Sequence, residues 1–355
     1  MFEKLREYNA EEIHFRNCSE TGLKAIVAIN STVLGPSTGG TRVWNYSSED
    51  EALYDVLRLS RGMTFKNAVS NVPMGGAKGV IIWDTNKPKT REMLLAYGKF
   101  VEDLNGKFTT GEDVNMSEED VEIMGEVTKY IAGTKGDGKG GDPSPFTARG
   151  VFRGLQAGAK EVFGTDSFNG KTVAVQGLGK VGYELCRWLY NDGAKLIVTD
   201  INEKNVNRAI EEFNAKAVNP EEILKIECDV FAPCAMGAVI SEDIANSINC
   251  SLIGGGANNV LVDQYAGEKL HNRGILYIPD YVINAGGVIS VYLEIQRIHT
   301  VALANEKMDG IYDNVANILK FAKQENLPTY LASDKYAMKI IEDKKKSDKK
   351  QSITF

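Results

Sequence analysis

The chain has 355 residues, of which 43% are hydrophobic and 25% are charged. This length exceeds what one hydrophobic core usually serves, so we expect two domains with a ligand-binding cleft between them. The formal net charge of −7 argues against nucleic-acid binding, which requires a basic surface. The chain is therefore not expected to bind nucleic acid.

The hydropathy pattern gives no sign of export or membrane insertion. The N-terminus lacks a basic segment followed by an apolar run, and no apolar run approaches the ~18 residues that span a bilayer. We expect a cytoplasmic protein with no membrane partner. The lysine-rich stretch from Lys344 to Lys350 is typical of a solvated tail.

The chain has few residues suited to metal or thiol chemistry. The five cysteines lack CxxC spacing, and none of the three histidines lies near another His or Cys at metal-binding spacing. These residues are Cys18, Cys186, Cys228, Cys234, Cys250, His14, His271 and His299. We expect free thiols, no metal, and a reaction carried by other residues.

In chain order, the first part alternates short β-like runs with helical stretches. The runs at residues 23–29 and 79–83 predict strands, and residues 50–63 and 90–104 predict helices. This pattern is typical of an α/β domain, which we place at residues 1–133 as the substrate, catalytic and oligomerisation domain.

A segment rich in Gly, Asp and Pro, residues 133–145, is predicted to be a linker or mobile loop. It begins like a P-loop, with Gly133, Gly138 and Lys139. A Ser or Thr is required next, but Gly140 stands there and no strand leads into the segment. A nucleotide-hydrolysing site is therefore not expected.

The rest of the chain predicts a dinucleotide-binding domain at residues 134–326. After a helix around 150–163 come a strand at 172–176, a glycine-rich turn, a helix at 183–191 and a strand at 195–199. Further elements are strands near 230–231, 252–253 and 275–278, a helix from about Val288, and C-terminal helices at 327–345 that fold back on the first domain, followed by a tail at 346–355.

The glycine-rich turn has the pattern Gly177-x-Gly179-x-x-Gly182, and the next strand ends in Asp200, 18 residues later. Glycines in this pattern let the backbone approach a pyrophosphate at the helix N-terminus. A turn that only packs a helix on a sheet, with Asp200 as a surface cap, would explain the glycines but not the acid. The carboxylate favours NAD over NADP, since it would repel a 2′-phosphate.

Three polar residues of the first domain stand in glycine-dense surroundings: Lys66, Lys78 and Asp113. Singly, each is typical of a surface charge or a helix cap. Lys78 differs, because it lies between two glycines and the apolar run that starts at Val80. A cation there would be partly desolvated, an environment that suits a general base.

Eight motifs, in order along nearly the whole chain, resemble the leucine, phenylalanine, valine and glutamate dehydrogenase superfamily, above all its leucine and phenylalanine branch. They are Gly39–Arg42, Met63–Asn67, Gly75–Lys78, Gly111–Val114, Pro143–Thr147, Phe231–Ala235, Gly256–Asn259 and Pro279–Gly287. The resemblance implies an N-terminal α/β catalytic domain and a Rossmann-type domain with the active-site cleft between them.

The resemblance also implies roles for the polar residues. Lys66 would bind the substrate α-carboxylate, assisted by the backbone N–H groups of Gly39 and Gly40. Lys78 would be the catalytic base. Asp113 would exchange protons with the substrate nitrogen and stabilise a cationic iminium.

The implied reaction is the reversible NAD-dependent oxidative deamination of a hydrophobic L-amino acid to a 2-oxo acid and ammonia, by a homo-oligomer. Further residues would bind the two ligands. For the substrate they are Thr38, Met63, Gly111, Asn258, Val288 and Val291. For NAD they are Thr147, Gly177, Leu178, Gly179, Lys180, Val181, Gly182, Asp200, Ile201, Cys234, Ala235, Asn258 and Asn284.

The implied pocket argues against glutamate as the substrate. Glutamate-specific relatives carry a lysine where this chain has Thr38, and an unpaired buried carboxylate would cost several kcal/mol. Thr38 and Gly111 are smaller than the leucine and alanine typical of leucine-type relatives, whereas Val288 and Val291 are leucine-like. Branched-chain amino acids rank first and aromatic ones second.

Two other functions share the dinucleotide motif. One is a hydroxy-acid or folate-type dehydrogenase, and the other is a regulator that only binds the nucleotide. Lys66, Lys78 and Asp113 together argue against both.

Overall fold

The computed structural model describes residues 2–134, 141–235 and 237–353. Residues 135–140 of the predicted linker, which include Gly138, Lys139 and Gly140 of the P-loop-like segment, lie outside these ranges. No helix within them is long and apolar enough to cross a membrane.

The described chain forms two compact units. Unit 1 comprises the residues up to Gly141, Val291–Thr300 and the residues from Ala337, and unit 2 comprises Asp142–Ser290 and Val301–Tyr336. The predicted limits at residues 133, 326 and 345 differ from this division, because the chain returns to unit 1 twice. Helical periodicity reveals a buried face, but it does not tell which core that face joins.

Unit 1 contains a mixed sheet between helices. Its elements are α1 Phe2–Tyr8, β1 Glu12–Cys18, β2 Leu23–Ser31, β3 Ser37–Thr38, β4 Thr41–Trp44, α2 Glu49–Val69, β5 Gly75–Ile82, α3 Arg91–Asp103, β6 Phe108–Thr109 and α4 Glu118–Met124. The strand order is β1-β2-β5-β3-β6, and β4 also pairs with β5. Strand β5 is therefore the centre of the unit.

Successive side chains of β2 point to opposite faces of this sheet. Val27 and Ile29 join the core that contains Tyr97 and Phe100 of α3. Ile26 and Ala28, which alternate with them along the strand, join a second core with residues of α2. The run of apolar residues in β2 thus follows from burial on both faces.

Helix α2 passes very close to β5 at Gly76. A Cβ at this position would lie 2.1 Å from the backbone nitrogen of Thr64. The Asn67 side chain donates a hydrogen bond of 2.7 Å to the carbonyl oxygen of Gly75. These contacts fix the C-terminal half of α2, which carries Met63 and Lys66, against the strand that carries Lys78.

Unit 2 is built on a parallel sheet. Its elements are α5 Ser144–Phe163, β7 Thr172–Gln176, α6 Lys180–Asn191, β8 Lys195–Thr199, α7 Glu203–Phe213, β9 Lys216–Ala217, a 3₁₀ turn Ile223–Lys225, β10 Val230–Pro233, α8 Glu242–Ser247, β11 Leu252–Ile253, α9 Gln264–Asn272, β12 Leu276–Tyr277, α10 Asp280–Ile283, α11 Gly286–Ile295, α12 Val301–Asp309, α13 Ile311–Glu325 and α14 Thr329–Ile353. Helices α11 and α14 each contain residues assigned to both units.

The sheet order of unit 2 is β12-β11-β10-β7-β8-β9. Read from the other edge, the strands follow the 3-2-1-4-5-6 order of the Rossmann fold. The predicted two-domain α/β class with a Rossmann-type domain is confirmed.

The C-terminal segment differs from its prediction. Helix α14 runs to Ile353, through most of the residues predicted as a tail. The side chains from Lys344 to Lys350 are exposed, and Lys344 pairs with Asp348 one turn later. Pairs at this spacing support a helix on a solvated surface.

We predict opposite effects for two glycine substitutions in unit 1. Gly76→Ala should destabilise the protein by about 1–3 kcal/mol, because its Cβ would meet the backbone of Thr64. Gly62→Ala, within α2, is the matched control: its Cβ has no described neighbour within 4 Å, so it should be neutral or stabilise by up to ~1 kcal/mol. Thermal unfolding midpoints measure both, and equal midpoints would contradict the close approach.

Candidate active site

The side chains of Lys78 and Asp113 form a buried ion pair in unit 1. Lys78 lies in the central strand β5, and its side chain is 6% exposed. Its Nζ donates to Oδ2 of Asp113, which lies in the loop after β6. The predicted base and the predicted acid are thus in direct contact.

A second cation holds the other oxygen of Asp113. Nε of Arg42, in β4, donates to Oδ1 at 2.9 Å. Burial alone would raise the pKa of Asp113, but the charges of Lys78 and Arg42 outweigh it and hold this pKa well below its usual range. Asp113 is therefore ionised in this state of the protein.

Sequence reasoning quoted Arg42 within a motif but gave it no role. The available signal was an arginine directly after Gly39, Gly40 and Thr41 in a family motif, since a partly buried arginine needs a carboxylate partner. The sequence does not show which carboxylate this is, because Asp113 lies 71 residues away.

The glycines before β4 allow the backbone to pass close to these groups. A Cβ at Gly39 would lie 1.9 Å from the carbonyl oxygen of Ala77 and 3.3 Å from Cγ of Met63. A Cβ at Gly40 would lie 3.0 Å from Cβ of Asp113. The predicted neighbours Gly39, Gly40, Met63 and Asp113 are therefore brought together around β5.

One part of the predicted carboxylate site is wrong for this structure. The N–H of Gly39 is not free, because it donates to the carbonyl oxygen of Thr109 at 3.2 Å. The cause is the parallel pairing of β3 with β6, which continues one residue beyond Thr38. Lys66, the predicted carboxylate ligand, is half-buried one turn after Met63 on α2.

The predicted pocket-wall residues Thr38 and Gly111 both face backbone groups. The Thr38 side chain is buried, and its Oγ1 donates to the carbonyl oxygen of Thr109 at 3.1 Å. A Cβ at Gly111 would lie 2.7 Å from the carbonyl oxygen of Ala132. Gly111 is therefore required by the neighbouring segment, whatever ligand is present.

The remaining wall residues, Val288 and Val291, are half-buried and one turn apart on α11. The same helix carries Glu294, whose carboxylate accepts the N–H of Gly133 at 3.1 Å. This bond fixes the C-terminal half of α11 beside the segment that contacts Gly111. Glu294 has no role in the sequence-based prediction.

The glycine-rich turn of unit 2 has the geometry that a pyrophosphate requires. Gly177 has φ 95°, and a Cβ there would lie 2.7 Å from Ala235. A Cβ at Gly182 would lie 2.0 Å from the carbonyl oxygen of Gly177. At Gly179, the N-cap of α6, a Cβ would meet no described neighbour within 4 Å. Packing explains two of the glycines, and the third leaves open space at a helix N-terminus.

Asp200 is fixed beside this turn at the end of β8. Its Oδ2 accepts the N–H of Leu178 at 2.5 Å, and its Oδ1 accepts the N–H of Asn202 at 2.7 Å. The cap of α7 is Asn202 itself, so Asp200 is not the helix cap of the simpler interpretation. Ile201 is 95% exposed.

Two cavities adjoin these groups within unit 2. One of about 410 Å³ is lined by Leu178, Gly179 and Lys180, and another of about 950 Å³ by Asp200 and Ile201. Leu178 borders one cavity and Asp200 the other, and the two residues are joined by a hydrogen bond.

A buried amide adds a further polar site in unit 2. Asn284 Nδ2 donates to Oδ1 of the exposed residue Asn258 at 2.7 Å. Asn284 Oδ1 is buried and has no hydrogen-bond partner among the described residues. Nearby, a Cβ at Gly286 would lie 2.6 Å from Cα of Thr147. An unpaired carbonyl oxygen suits the N–H₂ of a bound carboxamide.

Cys234 and Val181 support the turn rather than carry chemistry. The Sγ of Cys234 accepts the N–H of Gly256 at 3.4 Å, and burial raises the pKa of this thiol to about 11. A Cβ at Gly256 would lie 2.7 Å from Val181 Cγ1. Within the described ranges, no group of three or more His, Cys, Asp or Glu side chains is placed to hold a metal ion.

Comparison with protein families gives two matches. Residues 10–134 match the dimerisation domain of the Glu/Leu/Phe/Val dehydrogenases, and residues 198–347 match the Glutamate/Leucine/Phenylalanine/Valine dehydrogenase model. The chain belongs to this family. The predicted superfamily and enzyme class are confirmed, while the roles of individual site residues stay predictions.

Individual members of the Glu/Leu/Phe/Val dehydrogenase family match almost end to end. Leucine dehydrogenase of Geobacillus stearothermophilus is 49% identical over 98% of this chain and 95% of its own length. L-tryptophan dehydrogenase of Nostoc punctiforme is 41% identical over 99% and 98%. The crystal structure of L-tryptophan dehydrogenase from Nostoc punctiforme superposes with a TM-score of 0.88 at 40% identity, covering 98% of this chain and 100% of that one.

We predict that Gly179→Ala separates nucleotide binding from folding. The Cβ would enter open space at the N-terminus of α6, so the unfolding midpoint should stay within about 1 °C while NADH binding weakens by about tenfold or more. Gly182→Ala, which meets backbone, should lower the midpoint. Binding is followed by NADH fluorescence, and unchanged affinity in Gly179→Ala would contradict the pyrophosphate site.

Proposed function

We propose that this protein catalyses the reversible NAD-dependent oxidative deamination of a branched-chain L-amino acid to its 2-oxo acid and ammonia. The observation that carries the proposal is the buried Lys78–Asp113 pair beside the Gly39–Gly40 backbone. A proton donor and a proton acceptor in direct contact, with Met63 and Lys66 on the neighbouring helix α2, suit proton transfer to and from a small substrate.

Lys66 and Lys78 have different roles, one in substrate binding and the other in proton transfer. Lys66 binds the α-carboxylate, and Met63, one turn before it, contacts the bound amino acid. When bound, NAD⁺ supplies the acceptor for the hydride that leaves Cα. Lys78 then takes a proton from the water that attacks the same carbon, giving a carbinolamine.

Asp113 acts first as a proton acceptor. It is ionised when no substrate is bound, so it can take a proton from the substrate ammonium and leave the neutral amine. That proton passes on to solvent, so Asp113 is ionised again when the iminium forms. When the carbinolamine collapses, Asp113 transfers the hydroxyl proton to the nitrogen, the C–N bond breaks, the carbonyl forms and ammonia leaves. Its negative charge also stabilises the cationic iminium.

The residues assigned to NAD fit an unphosphorylated ribose. Asp200 is held in place by two backbone N–H groups, so its charge points to a fixed position at the end of β8. A 2′-phosphate there would be repelled. Asn284 Oδ1 and Thr147 would hold the nicotinamide carboxamide.

An aliphatic side chain is favoured over an aromatic one. Val288 and Val291 are aliphatic, and the hydroxyl of Thr38 is already bonded to Thr109, so it offers no polar contact. The aromatic alternative is supported by the similarity to L-tryptophan dehydrogenase. A regulator that only binds NAD is the second alternative, but it leaves the Lys78–Asp113 pair without a use.

We also propose a homo-oligomer in the cytoplasm. The first matched region is described as a dimerisation domain in this family.

The deciding experiment is a panel of amino acids with NAD⁺ or NADP⁺, and of 2-oxo acids with ammonia and NADH, followed by NADH absorbance. We expect the highest kcat/KM with leucine, valine or isoleucine and NAD⁺. A preference for phenylalanine or tryptophan would favour the aromatic alternative. NADH binding without turnover of any amino acid would favour the regulator.

We predict that Lys78→Ala lowers kcat by roughly a thousandfold or more, since proton transfer loses its base, and leaves NADH binding nearly unchanged. Lys66→Ala should instead raise KM for both amino acid and 2-oxo acid, because a carboxylate partner is lost. Lys87→Ala is the control, since that side chain is 71% exposed. Activity of Lys78→Ala within tenfold of the wild type would exclude the assigned role.

We predict that Thr38→Leu lowers kcat/KM for phenylalanine more than for leucine, by roughly tenfold, because the wall gains bulk. Gly111→Ala should behave differently, because its Cβ meets the Ala132 carbonyl. We expect kcat/KM to fall by a similar factor for both substrates, and the unfolding midpoint to fall as well. The ratio of the two kcat/KM values is the readout. A larger change of ratio in Gly111→Ala than in Thr38→Leu would show that the wall is assigned wrongly.

A further inference from the structure

The ion pair of Lys78 and Asp113 continues into a longer chain of charges. Arg42 donates from Nε to Asp113 at 2.9 Å and from an η nitrogen to Oδ2 of Asp55 at 3.0 Å. Its guanidinium thus bridges two carboxylates, and its side chain is 21% exposed. One cation therefore links the reacting groups to helix α2.

Asp55 is held as firmly as Asp113. Its Oδ2 also accepts the hydroxyl of Tyr46 at 2.8 Å, and its Oδ1 accepts an η nitrogen of Arg58 at 3.0 Å. Burial would lower the pKa of Arg42, but the charges of Asp113 and Asp55 raise it above its ordinary value. Arg42 is therefore a permanent cation in a fixed position.

Lys78 and Arg42, the two cations that pair with Asp113, differ in whether they can lose a proton. Lys78 must lose its proton to act as a base, and at that moment it no longer neutralises Asp113. A buried carboxylate without a counter-ion would take up a proton. The guanidinium of Arg42 stays protonated, so Asp113 keeps one cationic partner throughout the reaction.

We propose that Arg42 is a positioning residue, which keeps Asp113 ionised and oriented when Lys78 has released its proton. Asp55 opposes the charge of Arg42 and so limits its effect on the pair. This inference rests on the proposed function, because it assigns Arg42 a part in the proton transfers of that reaction.

Replacing Arg42 and replacing Asp55 should shift the pH dependence of activity in directions that follow from the charges nearby. The charged groups around Asp113 are Lys78 from β5 and Arg42 from β4, and those around Arg42 are Asp55 and Arg58 from α2, with the Tyr46 hydroxyl. Removing a cation makes the Lys78–Asp113 pair harder to deprotonate, and removing an anion makes it easier. Loss of Arg42 and loss of Asp55 should therefore act in opposite directions.

The test is the pH dependence of kcat/KM in matched variants. In Arg42→Met the midpoint of the acid limb should move up by about one pH unit, and in Asp55→Asn it should move down by a smaller amount. Arg42→Lys keeps the charge and should return the midpoint towards the wild type. Asp103→Asn, which removes the partner of Arg16 elsewhere in unit 1, is the control and should leave the midpoint unchanged.

Shifts of the same sign in Arg42→Met and Asp55→Asn, or no shift in either, would overturn the proposal, because a merely structural role predicts weaker activity without opposite pH shifts. If Arg42→Met does not fold, the midpoints of the acid limb in Asp55→Asn and Arg42→Lys can still be compared with that of the wild type.

A second measurement does not depend on turnover. The carboxyl carbon of Asp113 can be titrated by NMR in protein labelled at aspartate, with the signal assigned by its loss in Asp113→Asn. Asp113 should titrate about one pH unit or more higher in Arg42→Met than in the wild type. An unchanged titration would overturn the role of Arg42. A wild type that binds NADH but deaminates no amino acid would refute the proposed function, and the titration would still decide the role of Arg42.

Discussion

A lysine ammonium in the middle of a buried strand requires a fixed negative partner, and much of unit 1 can be understood from this constraint. Lys78 lies in β5, the strand that β2, β3 and β4 all pair with. Its partner Asp113 comes from the loop after β6, and this carboxylate is half-buried. An unpaired ammonium at the position of Lys78 would cost several kcal/mol, so Lys78 is stable there only with its carboxylate partner. The same interdependence makes the pair responsive to any further charge placed next to it.

The glycines of unit 1 make this arrangement sterically possible. Gly39 and Gly40 let one strand pass over the carbonyl groups of Ala77 and Glu112, and Gly76 lets α2 approach β5. Each lets two backbones approach more closely than a Cβ would permit. As a result, Met63, Lys78 and Asp113 come from three separate elements and still lie close to the same two glycines or to each other. A proton-transfer site needs such a fixed geometry, because the groups must stay within hydrogen-bond reach of each other.

Unit 2 uses glycine in two different ways. Gly177 and Gly182 are required by close packing, whereas Gly179 leaves the helix N-terminus open. Asp200 adds a fixed carboxylate at the end of the neighbouring strand, and Asn284 an unpaired carbonyl oxygen. These are the features through which a Rossmann-type unit binds a dinucleotide at the carboxyl ends of its strands. The unit thus supplies nucleotide binding, while the lysines and Asp113 belong to unit 1.

The sequence by itself determined the features that depend on neighbours along the chain. The strand at residues 172–176, the glycine turn and the strand at 195–199 were predicted with the bounds that the structure shows, because local periodicity and turn chemistry decide them. Lys78 and Asp113 were likewise found from local context and family motifs. Only the tertiary structure decided that Arg42 holds Asp113, 71 residues away, that the Gly39 N–H is already bonded, and that a Cβ at Gly111 would face Ala132. These facts depend on which strands lie side by side, and sheet order follows from the packing of the whole unit rather than from any local stretch of sequence.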